Sequence, residues 1–228
     1  MRILTLAACL LTTNLLAVQT SLPTNYKAIF SNPDVFVMHV HYGAHEFVPM
    51  HDHPAIATLY VYLNNSGPID IIHEDGVVAH RPPTQAGALR IAPGLAERHS
   101  VQSNSDTPSD FLRVEFPHVN FPELPETGKR VLAPAALTPA INVDFEDASL
   151  RVTRVICPDD QTCAPLQDPP DRTLLVAITP TRLHVNKTPS ELASGDVFWL
   201  PTNGKATYTL GAKSQALLVT FLQPASTK

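Results

Sequence analysis

Apolar and polar residues alternate in short runs along most of this chain, with a period near two and turn-forming residues closing each run. The pattern predicts strands over 35–42, 58–63, 69–73, 77–80, 88–92 and 111–116 in the first half. In the second half it predicts strands over 150–156, 173–179, 182–185, 197–200, 206–210 and 216–222. Each run is rich in β-branched or aromatic residues, which suit a pleated, half-buried surface. Glu74-Asp75-Gly76, between two of these runs, is a hairpin signal. Sustained helical periodicity is absent outside the apolar run from Ile3 to Val18. The elements therefore predict an all-β protein, a sandwich or a barrel.

The two halves echo each other. Gly87-Ala-Leu-Arg-Ile-Ala-Pro93 and Gly195-Asp-Val-Phe-Trp-Leu-Pro201 both read Gly, five strand residues, Pro, at an offset of 108. A polar turn and two further strands follow each copy, so two β modules are expected. The expected boundaries are 30–118 and 148–224, with a proline-rich connector over 119–147.

Composition narrows the setting. The chain has 228 residues, 16 Lys+Arg and 21 Asp+Glu, giving a net charge of −5. With no basic excess to neutralise phosphates, a nucleic-acid binder is not expected. Residues 1–20 read as a signal peptide: Arg2 precedes the apolar run, which is short for a membrane span. The mature chain, with no later unbroken apolar stretch of membrane length, is expected to be exported, periplasmic or secreted. Two cysteines then remain, Cys157 and Cys163, with five residues between them. In an oxidising compartment they predict a local disulfide; a redox or metal pair would want a C-x-x-C spacing or nearby histidines.

Histidines carry the chemistry. Nine of the ten lie before residue 120. His51 and His53 form an H-x-H within Pro49-Met-His-Asp-His-Pro54, and on an extended backbone residues i and i+2 point to one side. Both imidazoles can then reach one metal ion, and a third ligand must come from another strand. His99, six residues after Pro93, is the leading candidate.

These residues resemble the cupin superfamily. Gly43, His51, His53 and Gly67 look like its first motif, with Gly43 two residues further off than usual. Gly87, Pro93, His99 and Asn104 look like its second, with Gly94 directly after Pro93 and Asn104 one residue late. The resemblance spans 35–116, and more faintly 150–222. It implies a double-stranded β-helix, or jelly-roll barrel, with a pocket in its mouth, and one divalent transition metal (Fe, Mn, Zn, Ni or Cu) on His51, His53 and His99. The carboxylate ligand of the family would fall near Ala57 or Thr58, and neither can serve. The site would therefore be a three-histidine one, as in the thiol and gentisate-type dioxygenases. Offsetting the three histidines by 108 gives Asp159, Gln161 and Thr207, so the second module is expected to be a degenerate copy without metal.

Other residues have competing readings. His39 and His41 share a strand face and are either outer partners of the site, a second metal pair, or hydrogen-bonded strand histidines. His45, His73 and His80 sit beside turns and are expected to be solvated. Arg90, inside the first G-x5-P strand, either faces inward to bind a substrate carboxylate or faces solvent. Arg113 and Glu115 share a face and can pair. Two functional classes remain: a metal-dependent enzyme, read as a small-molecule dioxygenase, or a non-catalytic cupin that binds a small ligand or serves a structural role. A cupin isomerase or epimerase is a weaker third. The partner in either main case is a small molecule, with a homodimer left open.

Overall fold

The computed structural model describes residues 22–135, 138, 140–157, 163, 172–185, 188–200 and 208–222. Residues 1–20, expected to be a signal peptide, and Asp159, Gln161, Pro201 and Thr207 lie outside them. Eighteen strands and no helix form these residues. The first nine are β1 (Tyr26–Ser31), β2 (Phe36–Tyr42), β3 (Phe47–His53), β4 (Ala57–Tyr62), β5 (Ile69–His73), β6 (Val78–Arg81), β7 (Leu89–Ala92), β8 (Glu97–Ser103) and β9 (Ser109–Phe116). The rest are β10 (Lys129–Val131), β11 (Ala140–Glu146), β12 (Leu150–Ile156), β13 (Thr173–Ala177), β14 (Thr181–Val185), β15 (Thr188–Leu192), β16 (Val197–Trp199), β17 (Tyr208–Leu210) and β18 (Gln215–Phe221). No helix of the described residues is long and apolar enough to cross a membrane.

All twelve predicted strands are present among the described residues, most with ends shifted by a residue or two; positions 206 and 207 of the strand predicted over 206–210 lie outside those residues. Six more, β1, β3, β8, β10, β11 and β15, lie where the pattern predicts none. Polar residues or an internal proline interrupt the alternation of β3, β8 and β15. The stretch expected to act as a connector contributes β10, which pairs with β7, and β11, which pairs with β12.

The strands form four antiparallel sheets. Two come from residues 26–131: a six-stranded sheet in the order β1-β2-β9-β4-β7-β10, and a four-stranded sheet in the order β3-β8-β5-β6. Two come from residues 140–221, ordered β11-β12-β18-β13-β16 and β15-β14-β17. The order β1-β2-β9-β4-β7 is thus repeated as β11-β12-β18-β13-β16, bulge included: the register slips between Ala28 and Phe30 in one and between Val143 and Phe145 in the other.

Register shows that the repeat has no single offset. Leu59 pairs with Ile91 and Leu174 with Trp199, and those partners occupy the same place in the two G-x5-P segments. Leu174 therefore matches Leu59 at an offset of 115, although Trp199 matches Ile91 at 108. Val219 matches Val114 at 105, since each lies between the matched strands. The positions obtained by adding 108 to His51 and His53 are thus misplaced. At 115 they become Leu166 and Asp168, outside the described residues.

Side-chain alternation assigns each sheet face to a layer. From the six-stranded sheet, Val37, Leu59, Val61, Leu89, Ile91, Leu112 and Val114 meet Leu150, Val152, Leu174, Val176, Leu217 and Val219 of the five-stranded sheet in one core. On its other face, Met38, Val40, Tyr42 and Phe111 meet Val48 and Val101 of the four-stranded sheet. A third cluster, including Leu175, Leu183, Tyr208 and Leu218, fills the space between the last two sheets. Cys157 and Cys163 are joined beside it. The two repeated glycines sit reciprocally across the central core: a Cβ on Gly87 would lie 3.2 Å from Gln215, and one on Gly195 would lie 2.8 Å from Leu63.

Gly94 is a different case. A Cβ there would stand 2.6–2.7 Å from backbone atoms of Ile56 and Ala57, which cannot retreat as a flexible side chain can. Gly94→Ala should therefore destabilise the fold by about 1–3 kcal/mol, as overpacking does. Urea unfolding followed by fluorescence checks this, and an unchanged midpoint would contradict the close approach.

Candidate metal centre

The phase of β3 decides which of its residues face inward. Val48 is buried, and simple alternation from it would turn Met50 inward and the two histidines out. The register with β8 instead slips between Val48 and His51. This bulge, at Pro49-Met50, leaves Met50 exposed and turns His51 and His53 into the interior, 5% and 3% exposed. His99, on β8, lies directly across from His51 and is 4% exposed.

The three imidazoles thus meet. One ligand-capable atom from each lies within 4.8 Å of the others. Ring centroids are 4.8 Å apart for His51–His53 and His51–His99, and 5.1 Å for His53–His99. Among the described residues this is the one His, Cys, Asp and Glu cluster placed to hold a metal ion.

Hydrogen bonding fixes the tautomer of His51. Its Nδ1–H donates to the Pro49 carbonyl at 2.8 Å, which leaves Nε2 as an acceptor. Tyr26 Oη donates to that Nε2 at 3.0 Å, and Tyr42 Oη completes the chain by donating to Tyr26 at 2.7 Å. His53 has no hydrogen bond at either nitrogen, and His99 has none at Nδ1. A carboxylate oxygen of Glu97 stands 3.5 Å from His99 Nδ1.

Burial keeps these rings neutral. It pushes His53 down to about 2, helped by the positive charge of Arg113, and His99 down to about 3, helped by His51. His51 is lowered in the same way. Neutral imidazoles with open nitrogens are what a transition metal requires, so the donor set fits such an ion. An unsatisfied buried nitrogen costs roughly 1–3 kcal/mol, a cost that apolar side chains here would avoid.

Two of the three, His53 and His99, border a small cavity of about 60 Å³ that opens to solvent. His53 and His99 face it together with Tyr60, Tyr62, Phe111, Arg81, Arg90 and Arg113. Arg113 is buried, with Nε–H donating to Glu115 at 2.8 Å and an Nη donating to Tyr60 Oη at 2.7 Å, so the expected pair forms. Arg90 faces inward, its guanidinium 4.8 Å from the Tyr60 ring centre. His73 departs from the expectation of a solvated turn residue: it is partly buried, pairs across β5 and β8 with His99, and lines the cavity. His39 and His41 lie on the opposite face of their sheet from the cavity, 3.3 and 2.9 Å from Asp110. His45 and His80 are exposed beside Asp106 and Asp70.

Sequence reasoning missed Tyr26, His73, Arg81 and Glu97. Glu97 could have been found by extending a strand through His99, since it lies on β8 with it, whereas His73 is on β5 and is set opposite His99 only by the β5–β8 register. Tyr26 sits on a strand with no usable alternation and carried no signal.

No protein-family model matches the sequence, and neither does any curated protein. Solved structures do share the architecture. Salicylate 1,2-dioxygenase from Pseudaminobacter salicylatoxidans aligns at 12% identity over 85% of this chain and 75% of that one, with a TM-score of 0.56. YhaK from Escherichia coli aligns at 14% identity over 86% and 91%, TM-score 0.58. AerE from Microcystis aeruginosa aligns at 12% identity over 87% and 97%, TM-score 0.57. These are cupin-fold proteins, and this chain has the cupin fold. Its buried histidine triad fits the metal-binding kind.

The depressed imidazoles have a consequence for stability. In the unfolded chain they protonate near their ordinary 6.5, whereas in the metal-free fold they stay neutral to much lower pH. Stability is therefore full above about pH 6.5 and is lost as pH falls below it, by up to about 1.4 kcal/mol per pH unit for each ring. Between pH 6.5 and pH 4, metal-free wild type should lose about 3 kcal/mol more than His53→Gln, measured by urea unfolding. Parallel losses in the two proteins would contradict the buried neutral state.

Proposed function

We propose that this chain is an exported metalloprotein of cupin fold that acts as a small-molecule dioxygenase. Its first module, residues 30–118, holds one divalent transition metal (Fe, Mn, Zn, Ni or Cu) through His51, His53 and His99. The second module, 148–224, serves as a packing partner. The observation that carries this reading is the convergence of three buried, neutral imidazoles, two of which, His53 and His99, keep nitrogens without a hydrogen bond and face a cavity.

A metal held there would supply Lewis-acid and redox chemistry to a substrate in the cavity. The chain's own groups do the rest. The Pro49 carbonyl orients His51, the Arg113–Glu115 pair braces the wall, and Arg90 presents a cation to the substrate. The aromatic side chains limit access of water to the triad. The salicylate dioxygenase among the structural neighbours supports the oxidative reading by analogy of fold.

A second reading, a non-catalytic ligand-binding cupin, is favoured by one contact. Tyr26 already satisfies His51 Nε2 without a metal, and neither Ala57 nor Thr58 supplies a carboxylate ligand.

Metal content decides between them. Wild type incubated with each of the five metals and then desalted should retain close to one ion per chain. His51→Ala and His99→Ala should each lower the affinity at least tenfold, since even outer partners of metal ligands are worth about 10–100-fold. His45→Ala, at an exposed ion pair, should match wild type. Failure of wild type to retain any of the metals would leave the ligand-binding reading in place.

A further inference from the structure

Three arginines face the cavity, and they are not alike. Arg113 is matched by Glu115 and Tyr60. Arg81, the last residue of β6, and Arg90, on β7, make no ion pair among the described residues, and the Nε of each is buried without a hydrogen-bond partner. They come from different sheets, the four-stranded and the six-stranded, yet line the same space. Burial and the neighbouring charge of Arg90 both disfavour the charged form of Arg81. Two like charges that share a partly enclosed space with a single carboxylate, Glu97, and pair with none among the described residues are an unfavourable arrangement in the empty protein. Glu97, the one carboxylate lining the cavity, is set beside His99.

The surroundings say what would relieve this. Tyr60, Tyr62, Phe111, Ile69 and Ile71 give an apolar wall suited to a flat or compact organic body, and His53 and His99 face the same space. Guanidinium forks match the geometry of carboxylate and phosphate oxygens. We infer that the ligand of this cavity is a small organic anion whose terminal carboxylate or phosphate is gripped between Arg81 and Arg90, with its body along the aromatic wall beside the histidines. This rests on the cavity being the substrate site proposed above, and it adds Arg81 as a specificity-determining residue.

The test uses the purified chain without metal, so that its outcome is independent of whether the histidines hold an ion. Titration calorimetry with benzoate, phenyl phosphate and benzyl alcohol separates the charge from the ring. At least one of the two anions should bind about tenfold or more tighter than benzyl alcohol, and the tighter one identifies the oxyanion. Arg81→Met and Arg90→Met should each weaken the anion about 10- to 100-fold while leaving benzyl alcohol unchanged. Arg182→Met, on the surface of the other half, should have no effect. Because the empty pair is self-repelling, Arg81→Met should melt no lower than wild type in the absence of ligand, which a merely structural arginine would not allow. Should that variant fail to fold, Arg81→Lys keeps the charge but not the fork and should still weaken the anion. Equal binding of benzyl alcohol and the anions, undiminished anion affinity in folded Arg81 variants, or no binding of any probe at millimolar concentration would each overturn the inference.

Discussion

The six-stranded sheet has no solvent face across its central strands, and the rest of the molecule follows from that. One face is committed to the core shared with the five-stranded sheet; the other is committed to the cavity and its lining. A sheet buried on both faces fixes its register firmly, because a slip of one residue would exchange Leu59, Val61, Leu89 and Ile91 for Thr58, Tyr60, Ala88 and Arg90. Polar residues on the cavity face must then be paired, as Arg113 and Glu115 are, or be left for a ligand, as Arg90 is.

The histidines obey the same constraint from the opposite sheet. The bulge in β3 spends one residue to reset the phase, so that Val48 stays in the apolar cluster while His51 and His53 still turn inward. Their burial suppresses protonation, and the absence of enough hydrogen-bond partners leaves nitrogens open. The Tyr42–Tyr26–His51 chain of hydrogen bonds steadies one ring without charge. A site of this kind has no carboxylate at the family's usual position; Glu97 approaches from β8, next to His99.

Much of this was legible in the sequence. Period-two runs located the strands with apolar, β-branched composition, and H-x-H with G-x5-P located the triad. What stayed hidden was hidden for physical reasons. Phe47–His53 reads as broken by Pro49 because a bulge, not an even strand, is encoded there. Glu97–Ser103 carries too few apolar residues to register, although His99 and Val101 are buried on it. The repeat was visible at one motif, but loop lengths differ between the halves, so an offset taken from Gly87 and Gly195 could not be carried to the histidines. Arg81 ends a short strand whose inward turn depends on pairing with Ile69, which no local pattern announces.

The most direct test of the central claim is the metal's own environment. X-ray absorption at the metal edge of loaded wild-type protein should show scattering from three imidazole rings at nitrogen distance. A first shell of oxygen alone, or one without imidazole scattering, would contradict a centre built from His51, His53 and His99.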